Sequence, residues 1–163
     1  MNADQIISNL NLEAHPEGGY FRETYRSGTF LSESNLPDYP GGRNLATVIY
    51  FLLKSGQQSA FHRLRSDEFW YWHFESSLEV YIIHPDGNLQ KELMGSNIEA
   101  GERPQLLLPA GTWFAAKCAE QDSFTLISCS VAPGFSFEDF ELAEREKLIQ
   151  QFPQHSSLIT ELT

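Results

Sequence analysis

Residues 56–68 read Gly56-Gln-Gln-Ser-Ala-Phe-His-Arg-Leu-Arg-Ser-Asp-Glu68, and this stretch decides the fold. A glycine turn leads into a strand that carries His62, and a short polar turn separates it from an aromatic-rich strand at residues 69–74. Side chains alternate along a strand, so His62 and Leu64 lie on one face. We therefore expect the imidazole of His62 and the carboxylate of Glu68 to come from adjoining strand ends and to meet inside the sheet structure.

Short strands recur along the rest of the chain. They are predicted at residues 20–26, 45–53, 60–65, 68–74, 78–84, 90–94, 105–108, 112–118 and 123–131. The run at 45–53 is almost continuously apolar and β-branched, which predicts a strand buried on both faces. A short N-terminal helix and a helix over 137–151, which Pro153 ends, complete the pattern. Strands at this spacing are typical of an all-β sandwich or barrel.

Length and composition predict one domain over residues 1–163, with a strand-rich core at about 20–132 and a C-terminal helical segment at about 137–162. No apolar run approaches the roughly 20 residues that span a bilayer, and the N-terminus lacks the basic start of a signal peptide. We therefore expect a cytoplasmic protein without membrane contact. Cys118 and Cys129 lie in apolar strands and are expected to be reduced core thiols.

The net charge of −11 argues against nucleic-acid partners, because phosphate backbones would be repelled. The charge is uneven, however. Five of the seven arginines precede residue 66, namely Arg22, Arg26, Arg43, Arg63 and Arg65. Such a region can receive a small anion, or its arginines can simply pair with acidic neighbours at the surface.

Two motifs of this chain resemble the signature motifs of the cupin superfamily. In the first, Gly56, His62 and Glu68 fall in register, whereas Leu64 stands where the family has its second histidine. In the second, Pro109-Ala-Gly-Thr-Trp-Phe114, the proline and glycine match, but Phe114 replaces the histidine. The scaffold part of both motifs is thus present, and the metal-binding part is incomplete.

The resemblance extends over four ordered segments, at residues 15–26, 61–68, 108–113 and 131–142. They are similar to one cupin branch, the small single-domain proteins catalogued as a domain of unknown function. This resemblance implies an all-β jelly-roll barrel, also called a double-stranded β-helix, that is usually a dimer and has no agreed reaction. The apolar run at 45–53 and the many aromatic residues favour a homodimer as well. We expect Ile49, Phe51, Leu107, Leu126 and Ile127 in the core.

The cupin match implies that His62 faces an interior pocket. Glu68, Trp70, Trp72 and Phe74 alternate onto one face of the next strand, so the pocket is expected to be apolar and walled by aromatic rings. Such a cavity is typical of a small-molecule site. The expected ligand-binding residues are Arg22, Arg63, Trp70, Trp72 and Phe114, with the two arginines holding a diphosphate or a carboxylate.

A tightly held metal needs at least three protein ligands, and His62 and Glu68 supply two. Leu64 and Phe114 cannot ligate. His73 and His84 are the remaining histidines nearby, but alternation places His73 on the face opposite Glu68. We therefore expect no metal and no other cofactor.

Without a metal, His62 and Glu68 are expected to act as an acid/base pair, because a carboxylate orients an imidazole and tunes it for proton transfer. Metal-free cupins of the deoxysugar epimerase kind work in this way, with a tyrosine as the second acid. The tyrosine candidates are Tyr20, Tyr25, Tyr50, Tyr71 and Tyr81. This implies an isomerase or epimerase that acts on a sugar or a nucleotide-sugar-like ligand. A non-catalytic ligand-binding module, a filled core and a metal-dependent enzyme using His62 and Glu68 remain the alternatives.

Overall fold

The computed structural model describes residues 1–163 and consists mainly of short strands. In chain order they are β1 (Glu13–Ala14), β2 (Tyr20–Arg26), β3 (Phe30–Leu31), β4 (Arg43–Asn44), β5 (Thr47–Lys54), β6 (Gln58–Leu64), β7 (Asp67–Glu75), β8 (Leu78–Ile83), β9 (Leu89–Met94), β10 (Gln105–Leu108), β11 (Trp113–Cys118), β12 (Phe124–Ala132) and β13 (Phe140–Leu142). The α-helices are α1 (Ala3–Leu10), α2 (Arg145–Gln151) and α3 (Ser156–Glu161). Three single-turn 3₁₀ helices lie at Ile98–Ala100, Phe137–Asp139 and Pro153–His155.

Two antiparallel sheets form the jelly roll. One has six strands in the order β1-β2-β5-β12-β7-β10, and the other has five in the order β13-β6-β11-β8-β9. The main core lies between them, because it combines side chains of both sheets, such as Phe51, Trp70 and Ile127 from one and Leu64 and Phe114 from the other. A two-stranded piece, β3-β4, lies in the polar loop between β2 and β5.

Helices cover the outer faces of both sheets. Ile6 of α1 packs on Leu52 and Leu126, which point outward from the six-stranded sheet. The C-terminal helices α2 and α3 bury Leu148 and Ile159 against the outer face of the five-stranded sheet. Alternate residues of a strand therefore pack either between the two sheets or against the helices outside them. This explains why apolar residues occupy both faces of β5 and β6. No helix of the protein is both long and apolar enough to cross a membrane.

The predicted all-β jelly roll with a short N-terminal helix and C-terminal helices is confirmed. The helix predicted over 137–151 was wrong in its first half. Residues 140–142 instead form β13, which pairs antiparallel with β6 and places Phe140 opposite Leu64. Hydrogen bonding to the edge of a sheet outweighs the helical spacing of these residues, and the helix begins only at Arg145.

The core prediction was correct for four residues of five. Phe51, Leu126 and Ile127 are buried, and Ile49 packs against the main core. Leu107 is 42% exposed because it belongs to the edge strand β10, where its neighbour Leu108 faces inward. The strand predicted at 45–53 begins at Thr47, and its first half is only partly buried.

Candidate functional site

A cavity of about 390 Å³ opens between the two sheets. It is enclosed by strands β2, β5, β6, β7 and β12 and by the loop between β1 and β2. Strand alternation brings an unusual set of side chains to its wall, since each of these strands contributes inward-pointing residues. The polar and reactive side chains of the lining are His15, Glu17, Glu23, Arg26, Arg43, Asn44, Thr47, His62, Glu68, Trp70, Cys129 and Ser136.

Glu17 enters the site from the β1–β2 loop. The backbone N–H of Ala60 in β6 donates a hydrogen bond to the carbonyl of Glu17 at 2.8 Å. Gly18 makes this close approach possible: its φ is +109°, and a Cβ atom there would lie 2.1 Å from the carbonyl oxygen of Gln58. Any side chain at this position would push the loop away from β6. The loop therefore holds Glu17 beside the strand that carries His62.

His62 is fixed at both ring nitrogens. Nδ1 lies 2.7 Å from the carbonyl oxygen of Ala60, which assigns the imidazole proton to Nδ1. Nε2 then presents its lone pair, and it lies 3.1 Å from Oε2 of Glu17. The other oxygen of Glu17 accepts a hydrogen bond from the hydroxyl of Ser59 at 2.7 Å. Glu17 and His62 thus form a directly bonded carboxyl–imidazole pair.

Burial controls the charge of this pair. The loss of solvent lowers the pKa of His62 to about 4, partly offset by its bond to Ala60. The same burial raises the pKa of Glu17 to about 7, against the opposing effects of His15 and Ser59. Both shifts have one cause, because a charged group deep in a protein loses its hydration. At neutral pH, His62 is therefore uncharged, and Glu17 is the member of the pair that gains or loses a proton.

His15 supports the pair from the other side. Its Nδ1 lies 3.4 Å from Oε2 of Glu17 and accepts a hydrogen bond from the backbone N–H of Glu17 at 3.3 Å. Burial is the main cause of its lowered pKa. The ring packs edge-on against Phe21, at 4.7 Å between centroids. One carboxyl group thus lies between two uncharged imidazole acceptors.

Glu68 forms a second buried acid. Burial, and then the negative charge of Glu17, raise its pKa to about 8, whereas Trp70 and Cys129 act to lower it. Glu68 is therefore mostly protonated at neutral pH and can donate a proton. The buried indole N–H of Trp70 lies close enough to Glu68 to lower its pKa, although it makes no hydrogen bond of ordinary length and angle.

The mouth of the pocket carries two arginines, each paired with a carboxylate. Arg26 binds Glu23 through Nε at 2.9 Å and Nη2 at 2.7 Å. Arg43 is buried and binds both carboxylate oxygens of Asp139, at 2.6 and 2.9 Å. The β-bulge between Glu23 and Tyr25 brings Glu23 and Arg26 to the same face of β2.

The structure brings some of the sequence-predicted residues together and separates others. His62, Glu68 and Trp70 line the pocket. Phe114 lies behind His62, 4.2 Å away between ring centroids, and is paired with it in neighbouring strands. Trp72 lies on the same side of β7 but packs in the core beyond the pocket, where its N–H donates to Ser76.

Arg22 and Arg63 do not reach the pocket. Alternation turns Arg63 to the outer face of β6, where it binds Glu141 and lies 4.6 Å from the centre of the Trp113 ring. Arg22 likewise points outward from β2 and donates to the carbonyl of Leu10 at 3.0 Å. Neighbouring residues of a strand point to opposite faces, so an inward His62 requires an outward Arg63. The sequence alone therefore argues against Arg63 as a pocket residue.

The carboxylate beside His62 is Glu17 rather than Glu68, and sequence reasoning missed it. Residues 15–19 form a hydrogen-bonded turn, and its glutamate lies far from His62 in sequence. The one available signal was a charged residue in a Pro- and Gly-rich loop, since such loops often carry functional groups. None of the tyrosine candidates lines the pocket.

The side chains present do not fit the metal that many cupins hold. Leu64 and Phe114 occupy the positions of two metal-binding histidines, and His62 directs Nε2 to Glu17. His73 bonds Ser128, and His84 bonds Gln90, and neither lines the pocket. No group of three or more His, Cys, Asp or Glu side chains is arranged to hold a metal ion.

Two facing sheets with a small-molecule-sized pocket between them define a protein of the cupin class. A family model described as "Cupin superfamily (DUF985)" matches residues 4–143. The chain therefore belongs to the DUF985 family of cupins. It is 30% identical over 152 residues to an uncharacterized protein of Saccharomyces cerevisiae, YML079W, in a match that covers 87% of this chain and 75% of the yeast protein.

Solved structures agree with this assignment. Protein SO0799 from Shewanella oneidensis is 44% identical, with a TM-score of 0.91 over 100% of this chain and 98% of the other. A hypothetical protein from Leishmania major is 32% identical, with a TM-score of 0.90 over 100% and 99% of the two chains. Oxalate decarboxylase from Bacillus subtilis is 18% identical, with a TM-score of 0.57 over 92% of this chain and 36% of the other, which shows a shared fold alone.

Proposed function

We propose that this protein is a metal-independent isomerase or epimerase that moves a proton at the carbon next to the carbonyl of a small molecule. The observation that carries the proposal is the contact between Nε2 of His62 and Oε2 of Glu17, at 3.1 Å in a buried pocket. Proton abstraction from carbon needs a base that is available near neutral pH. A carboxyl group with a pKa of about 7 between two neutral imidazoles meets that need.

The proposed steps balance in protons. The Glu17–His62 pair removes a proton from the carbon, while protonated Glu68 gives its proton to the carbonyl oxygen, and the product is a neutral enol. The indole N–H of Trp70 lies beside Glu68 and favours its ionised form, which appears when Glu68 gives up its proton. For an α-hydroxy ketone, the pair returns its proton to the former carbonyl carbon while Glu68 recovers a proton from the neighbouring hydroxyl, which completes an isomerisation. An epimerisation requires instead a proton delivered to the opposite face of the enol. Glu68 therefore acts at the carbonyl oxygen, whereas the tyrosine expected from the sequence would return a proton to carbon.

The experiment that tests the proposal is exchange of ketone α-protons with solvent deuterium, followed by NMR, for a panel of small ketones and hydroxy ketones. Exchange above the rate in imidazole buffer supports proton transfer at carbon. Thermal stabilisation by the same compounds without any exchange would instead identify a non-catalytic binding module.

The rate of this exchange is expected to be bell-shaped in pH. Glu17 must be ionised to accept a proton, so activity falls as the pH drops below its pKa of about 7. Glu68 must be protonated to donate, so activity falls as the pH rises above its pKa of about 8. A maximum between these values, measured over a range that spans both, is the expected result. A rate that rises steadily through this range would contradict the role of Glu68.

A metal is expected to be unnecessary. Elemental analysis of the purified protein should find no stoichiometric zinc, iron, nickel or manganese, and chelator treatment should leave the exchange rate unchanged. The reason is that Leu64 and Phe114 remove two ligands, and a site with so few protein ligands holds metal weakly. About one metal ion per chain, released by His62→Ala or Glu68→Ala, would return the protein to the metal-dependent cupins.

A further inference from the structure

The charge balance of the pocket restricts what it can bind. Its floor contains two carboxyl groups, Glu17 and Glu68, and two histidines that burial keeps uncharged. No free cation faces them. An anionic group that entered would lose its hydration and meet no opposite charge, which is costly in a buried site.

The two arginines at the mouth do not correct this balance. Arg43 uses all of its N–H groups: Asp139 and Glu138 accept from Nε and Nη2, and the carbonyls of Pro40 and Gly42 accept from Nη1. A guanidinium group has about five N–H donors, so nothing remains for a ligand. Arg43 is also neutralised by these carboxylates.

Arg26 has four of its N–H groups engaged, and one N–H of Nη2 stays free. Glu23 accepts hydrogen bonds from Nε and Nη2 of Arg26. The side chain of Asn44 and the carbonyl of Phe135 accept from Nη1, at 3.2 Å each. The pair of Arg26 and Glu23 carries no net charge. The two arginines expected to hold a diphosphate, Arg22 and Arg63, thus lie outside the pocket, and Arg26 and Arg43 are neutralised at its edge.

The mouth also exposes aromatic surface. Phe30 of β3 and Phe137 of the 3₁₀ turn after β12 line the pocket, and each is 56% exposed. Large exposed apolar side chains that border a cavity usually mark a contact with a ligand or partner. Phe137 is held in place by Phe135, at 5.0 Å between ring centroids, and lies nearly parallel to the His15 ring at 6.2 Å. A flat ring would find apolar partners here.

We propose that the pocket takes an uncharged carbonyl compound that carries a flat apolar ring, with the carbonyl at the floor and the ring against Phe30 and Phe137, and that it rejects anions such as diphosphates. This inference rests on the proposed function for the position of the carbonyl. The preference for a ring and against a charge is measured as binding, separately from catalysis. The proposed ligand class and the proposed proton transfer can therefore fail independently.

Four probe compounds separate the effect of a negative charge on binding from the effect of an aromatic ring. Benzylacetone is an aromatic ketone, and homophenylpyruvate is the same molecule with a carboxylate in place of its methyl group. Ethyl methyl ketone and α-ketobutyrate form the same pair without the ring. Dissociation constants come from ligand-detected NMR, and deuterium exchange rates are divided by the rate of each compound in imidazole buffer.

Benzylacetone is expected to bind about tenfold or more tightly than homophenylpyruvate, because of the cost of an unpaired charge. The double variant Phe30→Ala/Phe137→Ala should reduce the affinity for benzylacetone relative to that for ethyl methyl ketone. Glu23→Gln should raise the affinity for homophenylpyruvate several-fold, because it frees the charge of Arg26. Glu146→Gln, an exposed position on α2, removes the same charge away from the pocket and should have no such effect.

Equal or tighter binding of homophenylpyruvate in the native protein would overturn this inference, as would failure of both aromatic probes to bind. If the keto acids exchange faster than the ketones in a reaction that needs His62, the proposed function stands and the ligand class is wrong. If benzylacetone binds as expected but does not exchange, the ligand class stands and the proposed proton transfer is wrong.

Discussion

Glu17→Gln is expected to reduce the normalised exchange rate by about 10²- to 10⁴-fold, the usual contribution of a positioned acid or base. Glutamine keeps the size of the side chain and its contact with Ser59, but it cannot take up a proton. His62→Gln should have a comparable effect, because it removes the group that bonds Oε2 of Glu17. Both variants should keep the dissociation constant for benzylacetone within a few-fold, since they alter proton transfer more than the apolar contacts.

Ser59→Ala is the matched control for this experiment. Ser59 is fully buried and touches the other oxygen of Glu17, so its loss tests packing and orientation without removing the base. We expect a smaller loss of rate and a displaced acid limb of the pH profile, because the serine hydroxyl favours the ionised form of Glu17. If Glu17→Gln exchanges protons as fast as the native protein, Glu17 is not the base.

Asp139→Ala is expected to destabilise the protein by about 3–5 kcal/mol, the usual cost of removing one partner of a buried ion pair. Asp139 holds the buried guanidinium of Arg43 with two bonds and also contacts Nε of Arg65 at 3.1 Å. Without it, the charge of Arg43 stays buried with only the exposed Glu138 opposite. Chemical denaturation measures the change, and the melting temperature should fall by roughly 2–4 °C per kcal/mol.

Glu138→Ala serves as the comparison, because Glu138 contacts the same guanidinium at 3.2 Å but its side chain is 75% exposed. Its loss should change the free energy of unfolding by no more than about 0.5 kcal/mol. The double variant Arg43→Met/Asp139→Ala should recover part of the stability, since no charge is then buried alone. Similar losses for Asp139→Ala and Glu138→Ala would show that burial of the pair has no energetic weight.

The strands could be predicted largely from the sequence, because alternation and turn residues act locally, whereas the jelly-roll topology was implied by the resemblance to cupins. The strands 20–26 and 105–108 coincide with β2 and β10 in both bounds. The error at residues 140–142 has a physical origin: pairing with β6 depends on a partner about 80 residues away, which no local pattern of residues shows. The prediction that Phe74 shares a face with Trp70 and Trp72 is wrong for a similar reason. A β-bulge opposite Leu126 and Ile127 interrupts the alternation, and Phe74 is 39% exposed.

The site was only half predictable. His62, Glu68 and Trp70 follow from motif and alternation, and all three line the cavity. Glu17 and His15 come from a loop whose path depends on the hydrogen bond to Ala60 and on the space left at Gly18. The position of this loop thus depends on contacts between residues far apart in sequence, which no local pattern shows. The arginines illustrate the reverse case, because clustering in sequence says nothing about which face of a sheet each one occupies.

The raised pKa values of the two buried carboxyl groups also affect the folding of the protein. Glu17 and Glu68 ionise at about 7 and about 8 in the folded state, against an ordinary value of 4.5. Between pH 4.5 and these folded-state values, the two carboxyl groups are ionised in the unfolded chain but keep their protons in the folded protein. The free energy of unfolding therefore falls as the pH rises through this range. His62 acts in the opposite direction below its ordinary value of 6.5 and contributes no change above it. The burial that raises the pKa of Glu17 to near neutrality, and so prepares it as a base, is thus the same burial that lowers the stability of the fold at neutral pH.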